Sequence, residues 1–335
     1  HKVDDKSEPL ENAVFGLFTA DCVKFSRDTA VMTAASDENG YFVFDEIPYG
    51  EYIIHEIETP TGYIFSDESY PVTVSEDGDV VEITAVNKPI TIEISKVNVY
   101  GEELIGAEMQ LIDSEDNVVD EWVSDGTNHV VSKLGAGEYV LKEIAAPDGY
   151  VIAADIKFSV DVYGNVTVEN VDSKAVSDNG DPLITMVDDT TKVQISKQDI
   201  TTGEELPGAT LQIIDEDGNV VEEWVSTNEP HMIEGKLIAS KEYTLKEIIA
   251  PEGYEIANEI KFTVNADGTV TEVVMYDEHT PDLETPPTVT IDTPNTGVSA
   301  DNSAELYLVA TAVIMAFGML ICKKNDKKQR KDDVK

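Results

Sequence analysis

The feature that most constrains the fold is an internal repeat whose period is close to the length of a small domain. The segment ISKVNVYGEELIGAEMQLIDSEDNVVDEWVS, from Ile94, matches ISKQDITTGEELPGATLQIIDEDGNVVEEWVS, from Ile195. A second shared motif reads YVLKEIAAPDGY from Tyr139, YTLKEIIAPEGY from Tyr243 and, more distantly, YIIHEIETPTGY from Tyr52. The sequence therefore predicts three similar domains, which we call repeat one (1–89), repeat two (90–190) and repeat three (191–281).

Each repeat consists of short β-rich runs separated by turns that contain Gly, Asp and Asn. This pattern is typical of all-β sandwiches or barrels, and no long stretch before the C-terminal apolar run has a helical period. The turns DEDGN (215–219) and DSEDN resemble calcium loops at first sight. An EF-hand loop needs an acidic residue at its twelfth position, where these segments have Ser226 and Ser124, so we interpret them as hairpin turns.

The composition excludes several classes of function. The net charge of −44 argues against nucleic acid as a partner, because phosphate binding needs clustered Lys and Arg. The two cysteines, Cys22 and Cys322, lie at opposite ends of the chain, and the five histidines are scattered. We therefore expect no disulfide framework, no metal site and no cofactor.

Ionisable side chains occur on predicted core faces, where side-chain alternation along a strand places them with apolar residues. Glu247 follows Tyr243 and Leu245 on one face, and Asp277 follows Val273 and Met275. The same alternation applies to a second set of residues: Lys96, Lys197, Glu56, Glu143, Asn87 and Asp188. The pattern therefore predicts that each repeat buries one Lys, one Glu and one Asp or Asn.

Two explanations for these buried groups stay open at this stage. A buried ion-pair network is one, but Lys, Glu and Asp together carry a net charge of −1, and each ion brings a desolvation cost. The other is covalent closure, because desolvation lowers a Lys pKa and raises carboxyl pKa values. A neutral amine held against a neutral carboxyl can form an amide, with the Glu relaying protons. The product is an isopeptide bond, and the leaving molecule is water from Asp or ammonia from Asn.

The repeats resemble CnaB-type domains, also called SpaA-like prealbumin-fold domains, of Gram-positive adhesins and pilins, and LKEIIAPEGY is similar to the family's E-box motif. The resemblance implies tandem Greek-key β-sandwiches, each closed by a bond between a first-strand Lys and a last-strand Asp or Asn. It implies the bonds Lys2–Asn87, Lys96–Asp188 and Lys197–Asp277, with Glu56, Glu143 and Glu247 as proton relays. Asn170 is a rival to Asp188, because an insertion precedes the last strand of repeat two.

The C-terminal region has its own organisation. Residues 282–292 form a Pro-rich spacer, and residues 306–322 form an uncharged apolar run that predicts a transmembrane helix. The tail, 323–335, has seven Lys or Arg and three Asp, which predicts a cytoplasmic tail with the preceding chain outside.

Residues 293–335 as a whole resemble the cell-wall sorting signal of Gram-positive surface proteins. The pentapeptide TPNTG (293–297) is similar to the family's Leu-Pro-x-Thr-Gly, with Thr293 in place of Leu. The resemblance implies that a sortase recognises Pro294, cuts between Thr296 and Gly297, and joins Thr296 to peptidoglycan. The precursor would span the membrane before this transfer.

Three functions are consistent with this organisation. The first is the stalk of a wall-anchored surface protein, carrying an adhesive region before His1 that contacts a host or matrix ligand. The second is a basal or minor pilin subunit, and the third is the stalk of a surface enzyme whose catalytic domain precedes His1. The residues themselves indicate no turnover of an external substrate, so we predict that this chain is not an enzyme.

Overall fold

The computed structural model describes residues 1–78, 80–169 and 175–281 of the 335-residue chain, and residues 1–280 form one compact unit. Every regular element among the described residues is a β-strand, which confirms the all-β prediction. Within these same ranges, no helix is both long enough and apolar enough to cross a membrane. The predicted spacer, sorting pentapeptide, transmembrane run and basic tail lie outside the described residues.

The strands follow one another in a similar order in each repeat. The strands of repeat one are β1 Lys2–Asp4, β2 Val14–Thr19, β3 Met32–Ala35, β4 Gly50–Glu58, β5 Ser69–Val74 and β6 Ala85–Asn87. The strands of repeat two are β7 Thr91–Asn98, β8 Ile105–Asp113, β9 Val118–Asp125, β10 His129–Ser132, β11 Gly137–Ala145, β12 Ile156–Val160, β13 Val166–Val168 and β14 Leu183–Asp188. The strands of repeat three are β15 Lys192–Asp199, β16 Thr210–Ile214, β17 Val220–Val225, β18 His231–Glu234, β19 Glu242–Ile249, β20 Ile260–Thr263 and β21 Thr271–Asp277.

Each repeat has two sheets, and the first and last strands of the repeat lie side by side in the smaller one. In repeat two the sheets have the orders β10-β7-β14 and β13-β12-β11-β8-β9, and in repeat three β18-β15-β21 and β17-β16-β19-β20. The first and last strands pair in parallel, whereas the other strand pairs are antiparallel. The core lies between the two sheets, since residues of both contribute to one apolar cluster in each repeat.

Alternation of apolar and polar residues explains how the last strand covers this core. In β21 the side chains are alternately buried and exposed from Thr271 to Asp277. The buried set includes Val273 and Met275, while Val274 and Tyr276 face outward. Because successive side chains of a strand point to opposite faces, Asp277 is carried into the core with its apolar neighbours.

Repeat one has the smallest first sheet, with only β1 and β6. Strand β1 is three residues long, against eight for β7 in repeat two. Phe42, Phe44 and Ile83 pack on the edge of the core but are only partly buried. They line an open cleft with a volume of about 530 Å3.

Neighbouring repeats contact each other at the shared Gly-Tyr pair and the residues that follow it. The side chain of Ile64 packs against the core of repeat two, and the Phe65 N–H donates to the Val162 carbonyl at 2.8 Å. The Gly62 carbonyl accepts a hydrogen bond from the Ile90 N–H at 2.9 Å. The equivalent Gly149 carbonyl accepts from the Thr191 N–H at the same distance, so the two junctions use the same backbone contact.

Candidate functional site

The core of repeat three contains a lysine and two carboxyl groups in mutual contact. Lys197 lies in β15 and Asp277 in the parallel strand β21, while Glu247 reaches them from β19 in the opposite sheet. The three side chains are 2%, 0% and 0% exposed. The Lys197 Nζ contacts Asp277 Oδ1 and lies 3.1 Å from Glu247 Oε1. The structure thus brings together the three residues predicted for this repeat.

Repeat two has the same arrangement with its own three predicted residues. The Nζ of Lys96 in β7 contacts Oδ1 of Asp188 in β14, and it lies 3.1 Å from Oε1 of Glu143 in β11. In both repeats the Lys is opposite a Met, Met186 or Met275, and the Asp lies two residues further along the parallel strand. The two-residue offset keeps the Lys and the Asp on the same face.

Backbone geometry orients each glutamate in the same way. The Oε2 atom accepts a hydrogen bond from the N–H of the residue ten positions later, at 2.6 Å from Ala153 to Glu143 and 2.7 Å from Ala257 to Glu247. A register shift follows each Glu in its pairing with the neighbouring strand, as expected of a β-bulge. With Oε2 fixed in this way, Oε1 faces the lysine amine.

Repeat one assembles its predicted residues more loosely. The Lys2 Nζ is fully buried, 3.7 Å from Glu56 Oε1 and 5.8 Å from the centre of the Phe15 ring. Within the described residues this amine makes no hydrogen bond, whereas the Asn87 Nδ2 donates to Glu56 Oε2 at 3.0 Å. The Ser66 N–H, ten residues after Glu56, donates to Oε2 at 3.3 Å.

Burial shifts the ionisation of four of these groups toward their neutral forms. Desolvation lowers the pKa of Lys2 and raises the pKa of Glu56. Desolvation also raises the pKa of Glu247, and it raises the pKa of Asp188 to about 7. A charged form is costly at each of these positions because the surrounding core is apolar.

The arrangement has the parts needed for amide formation within the protein. A lysine amine is in contact with a carboxyl group, and a second carboxyl group adjoins the amine and could transfer protons. One oxygen of Asp188 and one of Asp277 are buried without a hydrogen-bond partner in the described part of the chain. Unsatisfied buried oxygens of this kind are costly in a static ion-pair network.

Other sequence predictions concern the DEDGN turn, metal binding and residues of the insertion and the C-terminal region. The DEDGN segment is a hairpin turn between β16 and β17, in which Asp215 Oδ1 accepts the N–H groups of Asp217 and Asn219. Between residues 1 and 281, gaps excepted, no group of three or more His, Cys, Asp or Glu is placed to hold a metal ion. Asn170, Pro294, Thr296 and Gly297 lie outside the described residues.

Sequence reasoning missed several groups that adjoin the predicted residues. The backbone N–H groups of Ala153 and Ala257 were not anticipated, although their constant spacing after the Glu is visible once the repeats are aligned. Thr59 and the Ile64 carbonyl, which contact Asn87, were also missed. The only available signal was that Thr59 stands where repeats two and three have Ala146 and Ala250.

Comparison with known proteins matches three segments of the chain. A family model described as the SpaA prealbumin-like fold domain matches residues 1–89, 90–174 and 191–279. A curated relative, the trypsin-resistant surface T6 protein of Streptococcus pyogenes serotype M6, is 29% identical over 91 residues. That match spans 27% of this chain and 16% of the T6 protein.

Solved structures with lower similarity include proteins from two other organisms. The Bacillus anthracis TIE protein is 23% identical with a TM-score of 0.41, covering 83% of this chain and 50% of its own. The C-terminal fragment of the pilus adhesin SpaC from Lactobacillus rhamnosus GG is 18% identical with a TM-score of 0.35, covering 58% of this chain and 98% of its own. The shaft pilin SpaA from the same organism is 13% identical with a TM-score of 0.27, covering 58% and 98%.

Proposed function

Because the chain belongs to the family of SpaA prealbumin-like fold domains, we propose that it is the structural stalk of a Gram-positive surface protein, stiffened by intramolecular isopeptide bonds. The observation that carries the proposal is the contact of a buried lysine amine with a buried aspartate, next to a glutamate, in both repeats two and three. The proposed bonds are Lys96–Asp188 and Lys197–Asp277, and Lys2–Asn87 in repeat one.

The proposed reaction balances within the three side chains of repeat two and likewise within those of repeat three. The neutral lysine Nζ adds to Cγ of the Asp, one Nζ proton passes to the Glu, and a Glu proton passes to the departing oxygen. The C–N bond forms, a C–O bond breaks and one water leaves, so that the Glu returns to its starting state. Each site reacts once with its own residues, so the chain is not an enzyme.

Energetics favour this proposal over a permanent ion-pair network. Two carboxylates and one ammonium would leave a net charge of −1 in the cores of repeats two and three, and desolvation of buried ions often exceeds the gain from pairing. Amide formation replaces the amine and one carboxyl by a neutral group, and the remaining Glu is neutral when protonated. The raised pKa values of Glu247 and Asp188 are consistent with neutral reactants.

The proposed location is the cell surface, with covalent attachment to the cell wall. The support is the order of TPNTG, apolar run and basic tail in residues 293–335. In this proposal a sortase cleaves between Thr296 and Gly297, and Thr296 is joined to peptidoglycan. The stalk would then carry a more N-terminal region away from the wall, toward a host or matrix ligand.

Intact-mass spectrometry of residues 1–281 tests the covalent part of the proposal. We expect a mass below the sequence mass by one water for each Lys–Asp bond and one ammonia for a Lys–Asn bond. Peptide mapping should then recover Lys197 and Asp277 in one branched peptide, and likewise Lys96 and Asp188. A measured mass equal to the sequence mass would overturn the isopeptide proposal.

A further inference from the structure

Repeat one differs from the other two repeats at two positions that contact each other. Asn87 stands where repeats two and three have Asp188 and Asp277. Thr59, three residues after Glu56, stands where the others have Ala146 and Ala250. The Thr59 Oγ1 accepts a hydrogen bond from the Asn87 Nδ2 at 2.6 Å, so the hydroxyl occurs in the repeat that has the amide.

The Asn87 nitrogen is surrounded by three hydrogen-bond acceptors. Besides Thr59 Oγ1, the Ile64 carbonyl lies at 2.8 Å and Glu56 Oε2 at 3.0 Å. A backbone carbonyl can only accept, and this fixes the nitrogen of the amide, rather than its oxygen, toward Ile64. An ionised aspartate at position 87 would instead place an acceptor oxygen against that carbonyl.

An amide NH2 group has two hydrogens for these three acceptors, whereas ammonia has three. Ammonia can therefore donate a hydrogen bond to each of the three acceptors, whereas the Asn87 amide can donate to only two of them. Interactions that strengthen as the reaction proceeds are those that accelerate it.

We propose that the Thr59 hydroxyl and the Ile64 carbonyl hold the ammonia that leaves Asn87, and that they make repeat one specific for an Asn. This inference rests on the proposed isopeptide chemistry. In the step, the neutral Lys2 Nζ adds to Cγ of Asn87, and a proton passes from Nζ to Glu56 Oε1. The Glu56 carboxyl then returns a proton to Nδ2, the Cγ–Nδ2 bond breaks and ammonia leaves. Thr59 touches the reacting nitrogen but neither gains nor loses a proton overall.

Substitutions at Thr59 in the full chain test this inference. Thr59→Val keeps the shape of the side chain without the hydroxyl, while Thr59→Ser keeps the hydroxyl. After refolding, the rate of ammonia loss is followed by mass spectrometry of the Lys2–Asn87 peptide pair. We expect Thr59→Val to slow closure about tenfold, the effect of losing one hydrogen bond to a reacting group. We expect Thr59→Ser to remain within about threefold of the unmodified chain.

Bond formation in repeats two and three of the same molecules distinguishes failure of this inference from failure of the proposed function. If Lys96–Asp188 and Lys197–Asp277 also fail to form, the isopeptide proposal itself is wrong. If those bonds form and Thr59→Val closes as fast as the unmodified chain, only the role of Thr59 is wrong. The same conclusion follows if Thr59→Ser is as slow as Thr59→Val. If repeat one of the unmodified chain never closes, both the role of Thr59 and the proposed Lys2–Asn87 bond are wrong.

The Asn and Thr of repeat one can be introduced into repeat two as a gain-of-function test. Asp188→Asn supplies an amide there without a hydroxyl, and Asp188→Asn with Ala146→Thr supplies both. We expect the double variant to release ammonia about tenfold faster than the single variant, with repeat three unchanged as the internal control. Equal rates for the two variants, or release by neither, would overturn the assignment.

Discussion

Lys197 and Asp277 lie on neighbouring parallel strands with an offset of two residues, because Lys197 pairs with Met275 in the strand register. The same offset relates Lys96 to Asp188 and Lys2 to Asn87, through Met186 and Ala85. In each repeat, the two residues of the pair lie on the first and the last strand. In the proposed closed form, a pulling force along the chain would pass through a covalent bond between these strands instead of separating their hydrogen bonds.

Replacing Glu247 by Gln should leave Lys197 and Asp277 in place but unjoined, because Gln keeps the shape and cannot relay a proton. The bond would close a loop with a separation of 80 residues. By the chain-entropy model of a crosslink, its loss costs about 4–5 kcal/mol, a large part of the roughly 5–15 kcal/mol of a typical domain. Intact mass and a thermal melt of the same sample measure both effects.

Two variants serve as controls for the Glu247 experiment. Glu143→Gln should abolish only the repeat-two bond. Glu242→Gln, on the same strand as Glu247, removes an exposed ion pair with Lys261 and should keep every bond, since surface pairs contribute little. Retention of the full mass deficit in Glu247→Gln would show that Glu247 is not the proton relay.

Without its isopeptide bond, repeat two should have a stability that depends on pH. The pKa of Asp188 determines the direction of this dependence. Burial raises this pKa from 3.8 to about 7, so between these values the folded state holds a proton that the unfolded state releases. In Lys96→Met, the stability that this group contributes is therefore fully present below about pH 4 and falls as the pH rises. The fall extends beyond pH 7, because the Lys96 interactions that lower the Asp188 pKa are gone. One group contributes at most about 1.4 kcal/mol per pH unit.

Urea unfolding followed by Trp fluorescence measures this pH dependence. Trp122 packs on the core of repeat two and Trp224 on that of repeat three, so a Trp224→Phe background reports repeat two alone. Adding Asp188→Asn to Lys96→Met should weaken the dependence of the unfolding free energy on pH. Stability of Lys96→Met that rises between pH 4 and 7 would contradict the prediction.

Alternation along strands predicted much of the site. It placed Glu247 beside Leu245 and Asp277 beside Met275 on the core face, and both are buried. The family resemblance then supplied the pairing of the first and last strands, which alternation within one strand cannot give. The structure has the corresponding residues of repeats two and three in contact.

Side-chain alternation could not predict which residues cover the face of a strand that points away from the core. Glu93 in β7 is 3% exposed, although alternation places it opposite Ile92 and Ile94. Its carboxylate accepts hydrogen bonds from Asn128, Ser177 and Asn179, and these bonds lower its pKa. Two of these partners come from the insertion of repeat two, so burial of Glu93 depends on a distant segment that local periodicity does not detect.

Wall attachment should depend on the pentapeptide TPNTG. Changing Thr296 and Gly297 to Ala removes the proposed acyl donor and the proposed cleavage site. We expect the variant to remain with the membrane and to be extracted by detergent, whereas the unmodified protein is released only by wall digestion. Thr288→Ala in the spacer is the control and should fractionate with the wall. A double variant that still fractionates with the wall would exclude TPNTG as the sorting site.

The junction between repeats one and two should be sensitive to a side chain at Gly62. Its φ is 86°, and a Cβ there would lie 2.5 Å from the Lys133 carbonyl oxygen in repeat two. Gly253 has a φ of 90°, and in the described part of the chain nothing lies within 4 Å of its Cβ position. Both Ala variants bear the left-handed backbone cost of about 1–2 kcal/mol, but only Gly62→Ala also pushes two repeats apart.

Hydrogen exchange at two amides measures this difference between the glycines. Phe65 donates to the Val162 carbonyl and Ile90 to the Gly62 carbonyl, so both N–H groups report the junction. We expect Gly62→Ala to speed their exchange about tenfold, which corresponds to a loss of about 1.4 kcal/mol of local stability. Gly253→Ala should leave both amides as protected as in the unmodified chain. Equal protection in the two variants would show that the close approach at Gly62 does not hold the repeats together.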